Sequence, residues 1–236
     1  MKGSTQWAGI IPAVRFPVAV GLTLGMLVCA NFLTNRVVPN ADVVVGLALV
    51  AGLAAVARGS GLTADDLGLA RQTWWSGLRW GGAAAGIVAV GYGIGAAIPA
   101  VRQAVTESTL PWQSTVVKAV VVIPFATVIP EEFAFRGVMW ALFRRKSGQR
   151  MATVVSSVLF GFWQVLPALA GGAANESVTS VLGGGPVLLV IGTVLFTGLA
   201  GVLFCELRVR SGSLLAPVLL HWAVNGLGEL LLLLVA

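Results

Sequence analysis

Apolar residues run along this chain in long blocks separated by short polar stretches, without the two-residue alternation of an outer-membrane barrel. A helix rises 1.5 Å per residue, so about 20 apolar residues cross the roughly 30 Å of a bilayer's hydrocarbon. Seven segments meet or approach that length: 14–34, 43–57, 81–101, 116–143, 151–170, 186–206 and 214–235. The second is short enough to tilt or re-enter, which leaves the count between six and eight. Lipid satisfies no open backbone group, so the spans must be helical. The expected fold is therefore an all-α polytopic membrane protein with about seven (six to eight) transmembrane helices, residues 1–236 forming a single transmembrane domain.

Composition narrows this further. Of 236 residues, 57% are apolar and 10% charged, against about 25% charged in an ordinary soluble domain. The mean hydropathy is +0.93. Disorder, a disulfide scaffold and a collagenous fibre are excluded. The net charge of +6 comes from singly scattered residues with no basic stripe, so no nucleic-acid partner is expected. Those charges instead give an orientation. With a cytoplasmic N-terminus, that side holds Lys2, Arg15, Arg58, Arg71, Arg79, Arg144, Arg145, Lys146, Arg150, Arg208 and Arg210, against Arg36, Arg102 and Lys118 opposite.

The remaining features are modest. Lys2 and Arg15 before an apolar stretch ending at Ala30 imitate a secretory signal, but the many later spans favour an uncleaved first helix. Cys29 and Cys205 fall within spans and read as small core residues. Residues 65–80 read as an interfacial helix through Leu67, Trp74, Trp75 and Leu78. Trp74, Trp75, Trp80, Trp112 and Trp140 lie near span ends, as an aromatic belt does, whereas Trp163 and Trp222 do not. Gly183-Gly184-Gly185-Pro186 lacks the Lys-Ser/Thr of a phosphate cradle and reads as a loop before a helix. The N-terminal third carries no motif, and no internal repeat is visible.

Ionisable residues at bilayer depth are expensive and mark function. The fourth segment holds Pro130-Glu131-Glu132-Phe133-Ala134-Phe135-Arg136. Glu132 and Arg136, four apart, share a helical face and can pair; Glu131 is turned about 100° away and is left for chemistry or a proton. The last segment brings the chain's one histidine, His221, with Asn225 a turn later, and the fifth brings Phe160 and Gln164. Counted from the flanking arginines, Glu131, Gln164, His221 and Asn225 lie about 20, 21, 17 and 23 Å deep. Each has a plain structural reading as helix tie, core histidine or interhelical glue. Their shared depth favours a common buried site.

This constellation resembles a known family. Glu131-Glu132-x-x-x-Arg136 resembles the first motif of the type II CAAX prenyl endopeptidases and their bacterial relatives, the CPBP (Abi-type) intramembrane proteases. Ser213-Leu-Leu-Ala-Pro217 leading to His221-x-x-x-Asn225 resembles their last motif, and Phe160-x-x-x-Gln164 aligns with a family Phe-x-x-x-His. The resemblance covers about residues 118–230. It implies a helical intramembrane hydrolase opening to the cytoplasm, in which Glu131 is the general base on a water. Glu132 with Arg136 would tune the charge, and His221 with Asn225 would hold the oxyanion. Its partners would be membrane lipids and a membrane-tethered or prenylated peptide substrate; the Ala/Val/Gly/Arg-rich composition and the lack of an organellar signal suggest a bacterial plasma membrane.

Gln164 departs from the family pattern, because glutamine takes up no proton at neutral pH and is a poor zinc ligand. The family resemblance by itself suggests zinc. A catalytic zinc takes three protein ligands of imidazole, thiolate or carboxylate type, and one histidine cannot supply a two-His site. No metal and no cofactor are therefore expected. Two readings stay open: a glutamate-type endopeptidase in which Gln164 orients the water, and a catalytically impaired pseudoprotease that binds a membrane partner. A proton-coupled carrier is weaker, for want of a repeat or paired broken helices.

Overall fold

The computed structural model describes residues 14–38, 41–99, 112–170 and 185–235. Seven helical rods run through these residues, and no strand occurs among them. The first is α1 (Phe16–Phe32), continued by a π-helical turn over Leu33–Val37. The second, α2 (Asp42–Gly59), is longer than the sequence suggested and spans as a full helix, so it need not re-enter. A four-residue helix, α3 (Ala64–Leu67), is closed by a capping box between Thr63 and Asp66.

The interfacial helix expected over residues 65–80 does not form as one piece. After α3 the chain turns at Gly68 and again at Arg71–Thr73, and Trp74–Trp80 open the long helix α4 (Trp74–Ala97). Leu67 is buried while Trp74, Trp75 and Leu78 stay exposed, so the apolar stripe is divided between two elements.

The fourth rod is segmented: α5 (Trp112–Val117), a π stretch Lys118–Val128, α6 (Ile129–Glu132), a second π stretch Phe133–Met139, and α7 (Trp140–Ser147). Pro124 explains part of this. It has no N–H, and in the i→i−5 register of a π-helix the carbonyl it leaves free is that of Ala119. The indole of Trp222 donates to that oxygen at 2.9 Å. The rod's irregularity is thus closed by a side chain from the far end of the chain.

The fifth rod is α8 (Gln149–Trp163) with α9 (Val165–Ala170), the sixth is α10 (Pro186–Ser211), and the seventh is α11 (Leu215–Trp222), a π turn Ala223–Leu227 and α12 (Gly228–Val235). Gly185 caps α10; Gly183 and Gly184 lie outside the described residues. Helices α8 and α10 pack through small residues, as membrane helices do. A Cβ added to Gly161 would lie 2.6 Å from the Val194 carbonyl, and one added to Gly201 would lie 3.0 Å from Ser157 Cα.

Five stretches are long and apolar enough to cross a membrane: Phe16–Val37, Asp42–Gly59, Ala64–Ala97, Gln149–Leu169 and Val187–Ser211. The outer faces of these helices expose Val28, Ile87, Phe196 and Leu199, while Leu53, Phe135, Val138 and Phe160 fill the centre. A protein that presents large apolar side chains outward all round is built for lipid. The chain is a multi-pass membrane protein. Two further expectations need correction. Cys29 faces outward with the lipid-exposed side of α1, and only Cys205 is buried. Trp140 leaves the aromatic belt and is 2% exposed, because Arg144 and Arg208 lie over its ring and Val209 and Ala152 pack nearby.

Candidate active site

The rods that carry Glu131, Glu132, Arg136 and His221 are both interrupted by π segments. Glu131 and Glu132 occupy the single α turn α6 between two π stretches, with Pro130 at its start. Glu132 is wholly buried, and its Oε1 accepts from Arg136 Nη1 at 3.1 Å, one turn on along the same face. The same oxygen lies 2.8 Å from His221 Nδ1, which α11 brings in from 89 residues away. A carboxylate that also faces a guanidinium is an acceptor, so the proton of this bond sits on Nδ1. His221 then turns Nε2 towards Glu131, whose Oε2 is 3.9 Å away.

Glu131 accepts a hydrogen bond at Oε1 from Trp163 Nε1, at 2.8 Å, and its Oε2 has no hydrogen-bond partner. Arg136 is wholly buried beneath aromatic faces, with Cζ 4.1 Å from the Phe160 ring centroid and 4.8 Å from that of Phe204. The His221 ring stacks on Phe204 at 5.2 Å and meets Phe160 edge-on. Ser156 Oγ donates to the Phe135 carbonyl at 2.8 Å and ties α8 to the segmented rod. An ion pair inside an aromatic box is dry and rigid, and removing either partner strands the other in a low dielectric.

The structure brings Glu131, Glu132, Arg136 and His221 into one cluster. Gln164 lies at the break between α8 and α9 and Asn225 in the π turn of the seventh rod; both are half-buried. Neither side chain hydrogen-bonds another described residue. The fifth rod reaches Glu131 through Trp163, the residue before Gln164. The sequence did hold a signal for it, namely a tryptophan away from any expected interface. Phe204 had no such signal, since one more phenylalanine in an apolar helix is ordinary.

Residues 112–227 match the protein family described as Type II CAAX prenyl endopeptidase Rce1-like. That range covers the described part of the segmented rod and closes just past His221, so it contains every member of the cluster. The chain belongs to this family of CAAX endopeptidases. No curated protein and no solved structure matches the chain.

The zinc that the family resemblance suggests does not fit the donor set here. One imidazole and two carboxylates converge, but Oε1 of Glu132 is already held by the Arg136 guanidinium and the His221 ring. A fixed cation beside that carboxylate opposes a second one. Among the described residues, no group of three His, Cys, Asp or Glu side chains is arranged to hold a metal ion.

Proposed function

We propose that this protein is an intramembrane endopeptidase that hydrolyses a peptide bond in a membrane-tethered or lipidated substrate, close to the cytoplasmic face of a bacterial plasma membrane. The observation that carries the reading is the buried pair of Glu131 Oε2, free of any hydrogen bond, and His221 Nε2, 3.9 Å apart. In the proposed reaction Glu131 takes a proton from a water whose oxygen attacks the scissile carbonyl. The carbonyl π electrons move to oxygen, and the oxyanion is held by donors from His221 and Asn225. Glu131 then returns the proton to the departing amine as the C–N bond breaks.

Charge supports this division of labour. With Nδ1 bonded to Glu132, a proton on Nε2 makes His221 an imidazolium. Glu131, Glu132, Arg136 and His221 then sum to zero, which suits a dry site that must stabilise a new negative charge. The Ala/Val/Gly/Arg-rich composition and the crowding of arginines at one set of helix ends support the membrane and the orientation.

One observation favours a second reading. The side chain at the family's histidine position, Gln164, makes no bond to Glu131, so a scaffold that only binds a membrane partner is the competing account. Proteolysis of tethered peptides in liposomes tests both, with native protein, Glu131→Ala, His221→Ala and Gln164→His. Native cleavage that drops by about 10²–10⁴-fold in Glu131→Ala supports the endopeptidase. Cleavage that survives both Glu131→Ala and His221→Ala overturns it. A silent native protein awakened by Gln164→His favours the partner-binding scaffold.

A further inference from the structure

We propose that Asn31, on the first helix and outside the region that matches the family, is a positioning residue that aims Trp163 at the general base. The inference rests on the endopeptidase reading for its kinetic consequence, though not for its geometry. Helix α8 ends at Trp163 and the chain resumes as α9, whose third residue is Pro167. In an α-helix the Trp163 carbonyl would accept from the amide of residue 167, and proline has none. An orphan carbonyl at this depth is costly in lipid.

Asn31 supplies the missing donor. It is 6% exposed, and its Nδ2 reaches the Trp163 carbonyl at 2.9 Å across 132 residues of sequence. Its own Oδ1 accepts from Asn35 Nδ2 at 2.8 Å, which fixes the direction of the amide. Holding the Trp163 carbonyl fixes the peptide plane on which the tryptophan stands. The indole is further fixed edge-to-face on Phe135, with centroids 6.0 Å apart, and donates to Glu131 Oε1. The relay therefore runs Asn35, Asn31, Trp163, Glu131. It leaves the other oxygen of Glu131 as the one facing His221.

An asparagine present only for stability would behave differently from a positioning residue, and Pro167 gives the means to tell them apart. Asn31→Leu orphans the Trp163 carbonyl; Pro167→Ala restores an N–H that can satisfy it from within the helix. In liposome cleavage assays, Asn31→Leu is expected to lower kcat by up to about 10²-fold with KM little changed, as a misplaced group does. Trp163→Phe, which keeps the ring and loses the donor, is expected to do the same, and the two together no more than either alone. Adding Pro167→Ala to Asn31→Leu is expected to recover most of the loss.

A second readout is independent of activity. In protein labelled with [15N]tryptophan in micelles, the Trp163 indole resonance is identified by its loss in Trp163→Phe. It is expected to move in Glu131→Gln and in Asn31→Leu, and to return in Asn31→Leu with Pro167→Ala. If Asn31→Leu does not fold, Asn31→Asp removes the donor with the same shape. A Trp163 resonance unmoved by either Asn31 variant overturns the relay. So do additive losses in kcat, or a loss that Pro167→Ala leaves unchanged. A native protein that cleaves nothing overturns the endopeptidase reading and leaves the resonance test of the relay intact.

Discussion

Arg208 and Arg136 are both buried, 3% and 0% exposed, yet they are buried among different kinds of partner. Arg208, near the end of α10, donates from Nη2 to the main-chain carbonyls of Asp65 and Asp66 at 3.4 and 3.0 Å. Its guanidinium lies 5.3 Å from the Trp140 ring. Gly68, at φ +72°, leaves room for it, since a Cβ there would run into the guanidinium. The carbonyl of Gly68 in turn accepts from Leu214 N at the threshold of α11. Arg136 has one carboxylate, shared with an imidazole, and the faces of phenylalanines; its Nε and Nη2 have no hydrogen-bond partner. Arg208 reads neutral oxygens whose positions the fold dictates, and so works as a fastener between α3, α7 and α10. Arg136 sets the charge seen by two ionisable groups. Burial of a cation is common to both places, and the nature of the oxygen opposite it separates a fastener from the cation of the candidate site.

The sharpest way to break this contrast is to remove the counter-charge. Glu132→Ala leaves Arg136 alone among aromatic rings, and unfolding in micelles is expected to become easier by about 3–5 kcal/mol. Glu132→Gln with Arg136→Met removes the ion pair and is expected to retain stability within about 1–2 kcal/mol while cleavage is lost. Cleavage intact in that double variant would put Arg136 in the same class as Arg208.

Arg208→Ala is the matching test at the other place. It is expected to lower stability by about 1.5–3 kcal/mol, the range for hydrogen bonds to a charged group, with kcat per folded molecule unchanged. Gly68→Ala forces a left-handed alanine and is expected to lose about 1–2 kcal/mol by the same route. Combined with Arg208→Ala its effect is expected to shrink, because the strap is already open. The smallest effect is expected at Arg145 and Asp66, a 2.6 Å pair that is half in solvent. Asp66→Asn is expected to change the melting of the protein by less than about 1 kcal/mol, and less still in high salt.

The helices were legible because lipid imposes one rule, an apolar length, and the sequence obeys it in block after block. The Glu132–Arg136 pair was legible from four-residue spacing, and counting depth put Glu131 and His221 at one level. What escaped was set by rotation and by local breaks. The side of α1 that faces lipid has no signature in a helix apolar all round, so nothing in the sequence turns Cys29 outward. Trp140 has the sequence position of a belt residue, and what buries it is Arg208, 68 positions later. Gln164 drew attention as the polar residue of its segment, but the helix gives out there, at ψ −3°, and the longer side chain of Trp163 reaches Glu131 instead. Apart from Pro124, the π stretches carry no compositional mark.

The Lys118–Val128 stretch has a consequence for insertions and deletions. Each residue of a regular helix turns the chain by about 100°. The π stretch begins around Ala119, whose carbonyl must meet Trp222, and leads on to Glu131, which must face His221 and Trp163. It works as a phase coupling between two gears on one shaft. Removing one apolar residue from it barely alters hydrophobic length and leaves the charge as it was, yet it turns the two ends out of step, and only one set of partners can then mesh. Residue count, to the unit, is a constraint on this rod that no hydropathy profile registers.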